Sequence, residues 1–364
     1  MWKKILIVTV AVALIALIVY GWAYYTIKPS AEKFADFIKK HPEKAALYIV
    51  RNDRVVADQN SDTIMPLAST VKTIIAIEFA RQAAAGIIKL DDEIDTLELD
   101  KYYFSGTDGN AHPNWLEYVR KEKLSKGSKV KLLEVAKGMI RFSSNANTEF
   151  LMDKLGFENL NALLDTLGLT AHQKFYPFVS ALVVCQKPKD EDIKPFIENL
   201  ESMSMENYIK KSFEAHEKFK TDSLFKKKFD GESIYIDQEK IWSNRLIGGS
   251  PKQYVSVMQK INSRTYFDST TQIIIDDIFE WSLKNKENKF SAKHFGMKGG
   301  STTYVLTEAL YATDFENNKT EIAIFFNNLT ELENIKLQSS FDEFILKVLT
   351  DDEFRKKMIV LFKK

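Results

Sequence analysis

The sequence predicts a mixed α/β fold of the α+β type, with strands near both ends of the chain and helices in the middle. Two β-rich runs near residues 46–58 flank Asn52-Asp53, a pattern typical of an antiparallel hairpin. Two further β-rich runs follow residue 298 and flank the turn Glu316-Asn317-Asn318. Helical patterns of apolar residues occupy most of the chain between them.

The first 29 residues differ from the rest of the chain. The run Ile5–Ile27 carries no charge, and as a helix it would span about 34 Å, against about 30 Å of hydrocarbon in a bilayer. Gly21-Trp22-Ala23 has the small-x-small pattern of a cleavage site, but the apolar run exceeds that of a cleaved signal. We therefore expect a single-pass anchor in the cell membrane. Lys3 and Lys4 precede it, which predicts that the remainder lies on the extracytoplasmic side.

The composition argues against nucleic-acid and metal partners. The chain has 51 basic and 50 acidic side chains, with a net charge of +1 and no basic cluster. The single Cys185 excludes an internal disulfide framework and a C-x-x-C metal site. The histidines lack metal-ligand spacing: His41, His112, His172, His216 and His294. We expect neither a metal nor a cofactor, and the sequence does not indicate an oligomeric state.

The chain is organised around the segment Pro66–Gly86, a short polar entry followed by an apolar helix that should be buried. Ser69 lies at its start, among backbone N–H groups without intrahelical partners. Lys72 lies one turn on and on the same face, where burial would favour its neutral, basic form. Serine with a neutral lysine is a nucleophile with its base.

A simpler interpretation of the same residues is that Ser69 caps the helix and Lys72 extends to water. The S-x-x-K spacing is not specific, because three other pairs share it: Ser30 with Lys33, Ser128 with Lys131 and Ser223 with Lys226. The pattern therefore requires further residues to support a catalytic interpretation.

Two further polar clusters supply candidates. Ser143-Ser144-Asn145 lies between two predicted buried helices, where it is either a pair of ordinary caps or a cleft-facing group that relays protons and holds a peptide bond. Lys298-Gly299-Gly300 lies on or at the start of a strand. Its paired glycines indicate either close approach to the backbone or a β-bulge.

Weaker sequence patterns predict the structure of the segments outside these three clusters. Residues 89–129 are predicted to be a polar surface excursion in which Trp115 packs a loop. Residues 187–237 are charged and predict solvent-exposed helices. Ser250-Pro251 marks a helix start, an amphipathic helix is predicted from about Ser339 to Leu349, and residues 351–364 are assigned to a basic tail.

The three clusters in the order S-x-x-K, S-x-N and K-x-G resemble the signature of serine β-lactamases and penicillin-binding proteins. Over roughly residues 31–350 the chain is similar to a class A β-lactamase-type serine hydrolase. The resemblance implies an antiparallel sheet built from both chain ends with flanking helices, and an inserted all-helical subdomain at about 88–262. The hydrolase domain would then cover residues 30–350, with the site at the junction of its two parts.

The resemblance also implies roles for the residues of each motif. Ser69 would be the acylated nucleophile, Lys72 its base and Ser143 the shuttle that gives a proton to the leaving nitrogen. The backbone N–H groups of Ser69 and Ser301 would form the oxyanion hole.

The same resemblance implies four substrate-binding residues. Asn145 would hold the substrate amide. Lys298 would attract the substrate carboxylate and help to keep the catalytic lysine neutral. Gly300 and Ser301 complete this set.

The sequence departs from the family pattern at two points. The family commonly has threonine where Gly299 stands, so a hydroxyl contact to the substrate carboxylate is missing unless Ser301 or Thr302 replaces it. The E-x-x-L-N segment that supplies the deacylating glutamate is also not visible. The run Glu158–Asn161 is one residue too short and lies inside a predicted helix. Slow deacylation is therefore expected, unless another carboxylate such as Glu158 or Glu191 folds into the site.

These patterns predict an exported, membrane-tethered serine hydrolase that forms an acyl-enzyme with a β-lactam or a D-Ala-D-Ala-type stem peptide. A D-alanyl-D-alanine carboxypeptidase or transpeptidase is an alternative within the same chemistry. A penicillin-binding sensor without turnover is an alternative of a different class, because fold does not determine function. An anchored interaction protein with coincidental motifs is the third.

Overall fold

The computed structural model describes residues 28–188, 191–227, 236–284 and 291–363. The predicted transmembrane run Ile5–Ile27 lies outside these residues. Within the described ranges, no helix combines the length and the apolar character that a membrane crossing requires.

A five-stranded antiparallel sheet joins the two ends of the chain, as the sequence predicts. Its strands are β1 (Ala45–Arg51), β2 (Arg54–Gln59), β8 (His294–Ser301), β9 (Leu306–Thr313) and β10 (Lys319–Phe326). Their order across the sheet is β2-β1-β10-β9-β8, so the first strands lie beside the last. Strand β8 is therefore an edge strand with one free side.

The segment between the two halves of the sheet is mainly helical. Its first part contains β3 (Met65–Pro66), a 3₁₀ turn (Ala68–Val71), α2 (Lys72–Ala84), β4 (Glu93–Asp95), α3 (Thr96–Asp100), α4 (Ala111–Lys121), β5 (Ser125–Lys126) and β6 (Lys129–Lys131). Its centre contains α5 (Leu132–Arg141), α6 (Asn145–Leu155), α7 (Phe157–Leu167) and a 3₁₀ turn (Ser180–Val183). Its last part contains α8 (Ile193–Ser202), α9 (Met205–Thr221), α10 (Ser223–Lys227), α11 (Ile236–Asn244), β7 (Gly248–Gly249), α12 (Pro251–Ser263), α13 (Ser269–Phe279) and a 3₁₀ turn (Glu280–Lys284).

Each face of the sheet is covered by a separate hydrophobic core. One core is formed with helix α1 (Ala31–Lys40) and the C-terminal helices α14 (Glu331–Thr350) and α15 (Asp352–Leu361). The other is larger and includes α2, which is buried on nearly all sides as the sequence predicts. Because α2 lies between the sheet and the other helices, its first turn is placed at the junction of the two parts.

The turns follow local sequence signals closely. Asn52 and Asp53 connect β1 to β2 with positive φ angles of 48° and 61°, a conformation that Asn and Asp tolerate best among non-glycine residues. Asn317 has φ 66° in the predicted turn between β9 and β10. Ser250 caps α12 by accepting a hydrogen bond from the Gln253 amide, with Pro251 at the first helical position.

The C-terminal region differs from its prediction. The predicted helix Ser339–Leu349 is the second half of α14, which begins at a capping box between Thr330 and Glu333. Residues 351–364, assigned to a basic tail, contain α15, because Asp351 caps a new helix whose Phe354 and Met358 are buried in the core.

The middle of the chain also has more internal structure than predicted. The surface excursion at 89–129 contains the three-stranded sheet β4-β6-β5, and Trp115 on α4 is 1% exposed. The charged region 187–237 includes α9, which carries basic residues outside while burying Tyr208 and His216. Residues 189–190 and 228–235 of that region lie outside the described ranges.

Candidate active site

Ser69 lies in the 3₁₀ turn that leads into α2, partly exposed at the junction of the two parts of the fold. The preceding Ala68 has a positive φ of 44°, an unfavourable angle for a residue with a Cβ. In the described chain, the Ser69 hydroxyl has no hydrogen-bond partner and does not cap α2. The capping interpretation therefore does not describe this residue, and its hydroxyl is free to meet a ligand.

Lys72 is fully buried at the first position of α2, so it does not extend to water. Its Nζ donates to the Ser143 carbonyl oxygen at 2.6 Å and to Asn145 Oδ1 at 2.9 Å, and lies 3.3 Å from Ser143 Oγ. Burial lowers the pKa of Lys72 far below its usual value, and the nearby Lys298 lowers this pKa further. A neutral amine can donate both protons to the two carbonyl oxygens and keep its lone pair to accept a proton from a hydroxyl group.

Ser143 has a positive φ of 67°, and this backbone conformation precedes α6. The adjacent Ser144 caps α6 by accepting from the Asn147 amide, so one serine of the pair has the structural role and the other remains for the site. Lys298 Nζ donates to Ser143 Oγ at 3.1 Å. The Ser143 hydroxyl thus connects the two buried lysines, Lys72 and Lys298.

Lys298 lies on the edge strand β8 and is 4% exposed. Its Nζ also donates to the Gly299 carbonyl oxygen at 2.6 Å. Burial lowers the pKa of Lys298, and the carboxyl group of Glu308 opposes this shift. Both amines of the site are therefore shifted towards the neutral form.

Strand β8 lies directly against the Ser69 backbone. A Cβ added to Gly300 would lie 2.9 Å from the Thr70 nitrogen, 3.0 Å from Ala68 Cβ, and closer still to the Ser69 nitrogen. Only glycine permits this approach. Gly300 therefore reflects close packing against the backbone, the first of the two explanations given above for the paired glycines. The Thr70 hydroxyl fixes the contact by donating to the Lys298 carbonyl oxygen at 3.1 Å.

The site faces a cleft of about 530 Å³. Five of the predicted residues line it: Ser69, Ser143, Asn145, Gly300 and Ser301. The other two, Lys72 and Lys298, lie beneath them and are bonded to Ser143. Phe178, Trp242 and Leu246 form an apolar wall, so the cleft suits a ligand with both a polar reacting group and an apolar portion.

Several cleft residues were not predicted from the sequence. Asp108, in a Gly-rich loop, accepts hydrogen bonds from the Asn145 and His112 backbone amides. Phe178 comes from the loop before the Ser180–Val183 turn, and Glu308 from β9. The turn signal Gly-Thr-Asp-Gly at 106–109 could have indicated Asp108 from the sequence. The positions of Phe178 and Glu308 depend on long-range packing, which leaves no local signal.

A buried glutamate holds the loop that carries Phe178. Glu149 accepts hydrogen bonds from the Val179 and Ser180 amides at 2.9 and 3.2 Å, from Ser180 Oγ at 2.9 Å and from His216 Nδ1 at 2.7 Å. Its oxygens are therefore occupied by the loop and by His216 of α9. The two carboxylates proposed from the sequence, Glu158 and Glu191, are exposed and do not line the cleft.

The ring of His216 connects this glutamate to Asp153. Burial disfavours the charged ring, but hydrogen bonds to Asp153 and Glu149 outweigh it and raise the pKa of His216 to about 9. Asp153, His216 and Glu217 could together hold a metal ion. Lys220 Nζ, however, lies 3.0 Å from Asp153 and 3.1 Å from Glu217, so a cation already bridges these carboxylates.

The carboxyl group of Glu308 lies where a side chain at position 299 would extend. The two residues are paired across β8 and β9, and a Cβ on Gly299 would lie 2.5 Å from Glu308 Oε2. Burial and the nearby Asp342 raise the pKa of Glu308, while Lys298 lowers it. Thr302 and Ser301 are the two residues whose hydroxyl groups could replace the missing threonine hydroxyl. The Thr302 hydroxyl accepts from Ser243 Oγ at 2.8 Å, and the exposed Ser301 faces the cleft.

Comparison with known proteins gives one consistent result. The family model described as the beta-lactamase enzyme family matches residues 29–267. A class A beta-lactamase from Bacteroides cellulosilyticus is 14% identical with a TM-score of 0.52, covering 89% of this chain and 100% of the other. A beta-lactamase from Chitinophaga pinensis is 13% identical with a TM-score of 0.53, covering 88% and 99%.

A third similar structure is the L158E mutant of PBP-A in an acyl-enzyme complex with penicillin G. It is 15% identical with a TM-score of 0.50, covering 88% of this chain and 95% of the other. A search of curated proteins gave no match. At these identities the structural similarity establishes the fold.

Proposed function

The chain belongs to the beta-lactamase enzyme family and is a class A β-lactamase-type serine hydrolase, and we propose that it forms an acyl-enzyme at Ser69 with a β-lactam or a D-Ala-D-Ala-type peptide. The observation that carries this proposal is the arrangement of Lys72, Ser143 and Lys298 in one hydrogen-bonded chain beside the free Ser69 hydroxyl. Such an arrangement supplies a nucleophile, a base and a proton relay in one cleft.

Acylation follows from the positions of these groups. Ser69 Oγ attacks the carbonyl carbon, and its proton passes to the neutral Lys72 amine. The proton then reaches the leaving nitrogen through the Ser143 hydroxyl, so the C–N bond breaks as the ester forms. The Ser69 and Ser301 amides stabilise the developing oxyanion, and Asn145 Nδ2 holds the substrate amide.

Lys298 contributes by its charge and its hydrogen bond. When protonated, it disfavours a second charge on Lys72 and orients the Ser143 hydroxyl between the two amines. Its replacement should therefore impair the proton relay even though it lies beneath the cleft surface.

Deacylation is proposed to be slow. Rapid hydrolysis of the ester requires a base that activates water, and residues 174–180 of the loop beside the site contain no carboxylate. Phe178 lines the cleft from this loop, while Glu149 is bonded to the loop backbone behind it. These observations favour a peptidase-like or penicillin-sensing role as the second candidate, because both tolerate a long-lived acyl-enzyme.

The protein is further proposed to be tethered to the cell membrane through Ile5–Ile27, with the hydrolase on the extracytoplasmic side. The uncharged length of this run and the preceding Lys3 and Lys4 support the proposal.

Intact-mass spectrometry of the full-length chain with penicillin G tests the acyl-enzyme. We expect a stoichiometric adduct within the dead time, followed by slow release of the hydrolysed product. The Ser69→Ala variant should give no adduct. Rapid turnover without adduct would refute slow deacylation, and equal labelling of Ser69→Ala would refute the nucleophile.

A further inference from the structure

The end of the cleft beyond Gly299 has an unusual charge pattern for a site that should take a carboxylate. Glu308 is 7% exposed and lines the cleft, and its Oε1 has no hydrogen-bond partner in the described chain. Asp342, on α14, lines the same end and is exposed. Gln338, also on α14, adds an uncharged amide.

The neighbouring basic residue, Lys298, is hydrogen-bonded to other groups and so does not offset the negative charge of Glu308 and Asp342. Lys298 is the neighbouring amine on β8, and it donates to Ser143 Oγ and to the Gly299 carbonyl oxygen. Its side chain and that of Glu308 extend to opposite faces of the sheet, because Glu308 is paired with the next residue along, Gly299. A substrate group beyond Gly299 would therefore meet two acidic side chains first.

Glycine at 299 gives the substrate access to Glu308. A side chain at this position would occupy the place of Glu308 Oε2, 2.5 Å from its Cβ. Glycine at 299 and glutamate at 308 are thus complementary in space, and together they substitute a buried carboxyl group for the missing threonine hydroxyl.

We propose that this end of the cleft binds a primary amide, so that the preferred acyl donor has a carboxamide where penicillins and D-Ala-D-Ala peptides have a carboxylate. The inference rests on the proposed acylation of Ser69 and specifies the substrate class of that site. A primary amide matches Glu308 in both protonation states. An ionised carboxylate accepts from the amide NH₂, and a neutral carboxyl group both accepts from the NH₂ and donates to the amide oxygen.

A substrate carboxylate has no such match. Opposite an ionised Glu308 it faces a like charge in a buried position, with Asp342 adding to the repulsion. Opposite a neutral Glu308 it gains a single hydrogen bond, and one oxygen of Glu308 remains unpaired. An unpaired buried polar atom is unfavourable, so the amide is preferred in each case.

The test compares penicillin G with its primary amide and its methyl ester as acylating agents of the full-length protein at pH 7. We expect the amide to acylate about tenfold faster than the carboxylate, and also faster than the ester, which lacks the NH₂ donor. Acylation by the carboxylate at an equal or higher rate than the amide would overturn the inference while leaving the proposed function intact. Equal rates for ester and amide would also overturn it, and no acylation by any of the three would refute the proposed function itself.

Glu308→Gln provides the matched variant. The glutamine keeps the size and the hydrogen-bonding capacity for an amide but cannot repel a carboxylate, so the amide-to-carboxylate ratio should fall several-fold, mainly through faster reaction of the carboxylate. Glu321→Gln is the control, because Glu321 is another buried acid of the same sheet, bonded to Asn262 and outside the cleft. An unchanged ratio in Glu308→Gln, or an equal change in Glu321→Gln, would contradict the assignment.

Discussion

Replacing Gly300 by alanine tests the contact between β8 and the Ser69 backbone. The added Cβ would lie 2.9 Å from the Thr70 nitrogen and closer to the Ser69 nitrogen. Ordinary contact begins near 3.4 Å, so the strand and the turn must separate by about 1 Å. Neither can move alone, because the Thr70 hydroxyl and the Thr307 hydroxyl bind both segments.

A shift of this size should affect the reaction strongly. Misplacement of reacting groups by about 1 Å costs about 10²-fold in rate, which corresponds to about 2.7 kcal/mol of transition-state stabilisation. We therefore expect Gly300→Ala to lower the rate of Ser69 acylation by about 10²-fold. The assay is the time course of labelling by a fluorescent penicillin, with circular dichroism and the urea midpoint measured on the same samples.

Gly299→Ala is the matched control. Its added Cβ would meet Glu308 Oε2, the mobile end of a side chain, rather than the backbone of the nucleophile. We expect acylation to fall by less than about tenfold in this variant. A folded Gly300→Ala protein that acylates within threefold of wild type, or that matches Gly299→Ala, would refute the geometric argument.

Three further predictions follow from the same structure. Lys72→Ala should lower the acylation rate by about 10²-fold or more, the usual scale for a lost general base, and a smaller loss in single-turnover labelling would contradict its role. The folded pKa of His216, about 9, lies above its usual value near 6.5, so its stabilisation is complete below pH 6.5 and is lost as the pH rises through 9. The difference in unfolding free energy between wild type and His216→Gln should therefore shrink by up to about 3 kcal/mol over that interval, and a constant difference in urea titrations would refute the linkage. Fractionation should recover the full-length chain in membranes, accessible to protease from outside, whereas a soluble chain beginning near Tyr24 would show a cleaved signal.

Local signals predicted the elements that surround the site. The Asn52-Asp53 hairpin and the Ser250-Pro251 helix start each depend on adjacent residues, and the buried helix after Ser69 depends on the continuous apolar run that follows it. The two antiparallel hairpins followed from the same kind of evidence, whereas their union in one sheet was implied by the resemblance to class A β-lactamases. The boundaries of α14 were less accurate, because its capping box at Thr330 lies nine residues before Ser339, where its amphipathic pattern becomes clear.

The residues missed in the cleft have a common physical reason. Glu308 faces Gly299 only because the turn between β8 and β9, closed by the hydrogen bond from the Thr302 amide to the Val305 carbonyl oxygen, sets the register. A shift by one residue would place Glu308 on the opposite face of the sheet. Phe178 likewise depends on three hydrogen bonds to Glu149 from a loop about 30 residues away. Periodicity does not reveal either relationship.

The backbone at two site residues supports a functional interpretation of the clusters. Ala68 and Ser143 both have positive φ angles, which cost about 1–3 kcal/mol for such residues and persist only where the surrounding structure enforces them. Ala68 directly precedes Ser69, and Ser143 holds its hydroxyl between Lys72 and Lys298. Simple helix caps would not require this strain, since Ser144 caps α6 with φ −53° one residue later. The strain lies at Ser143 and directly before Ser69, where the proposed reaction needs oriented hydroxyl groups. Both Ser143→Gly and Ser143→Ala remove the Ser143 hydroxyl and should slow acylation, but Ser143→Gly also relaxes the backbone and should be the more stable of the two. A Ser143→Gly protein that is less stable than Ser143→Ala would show that the φ angle is not strained.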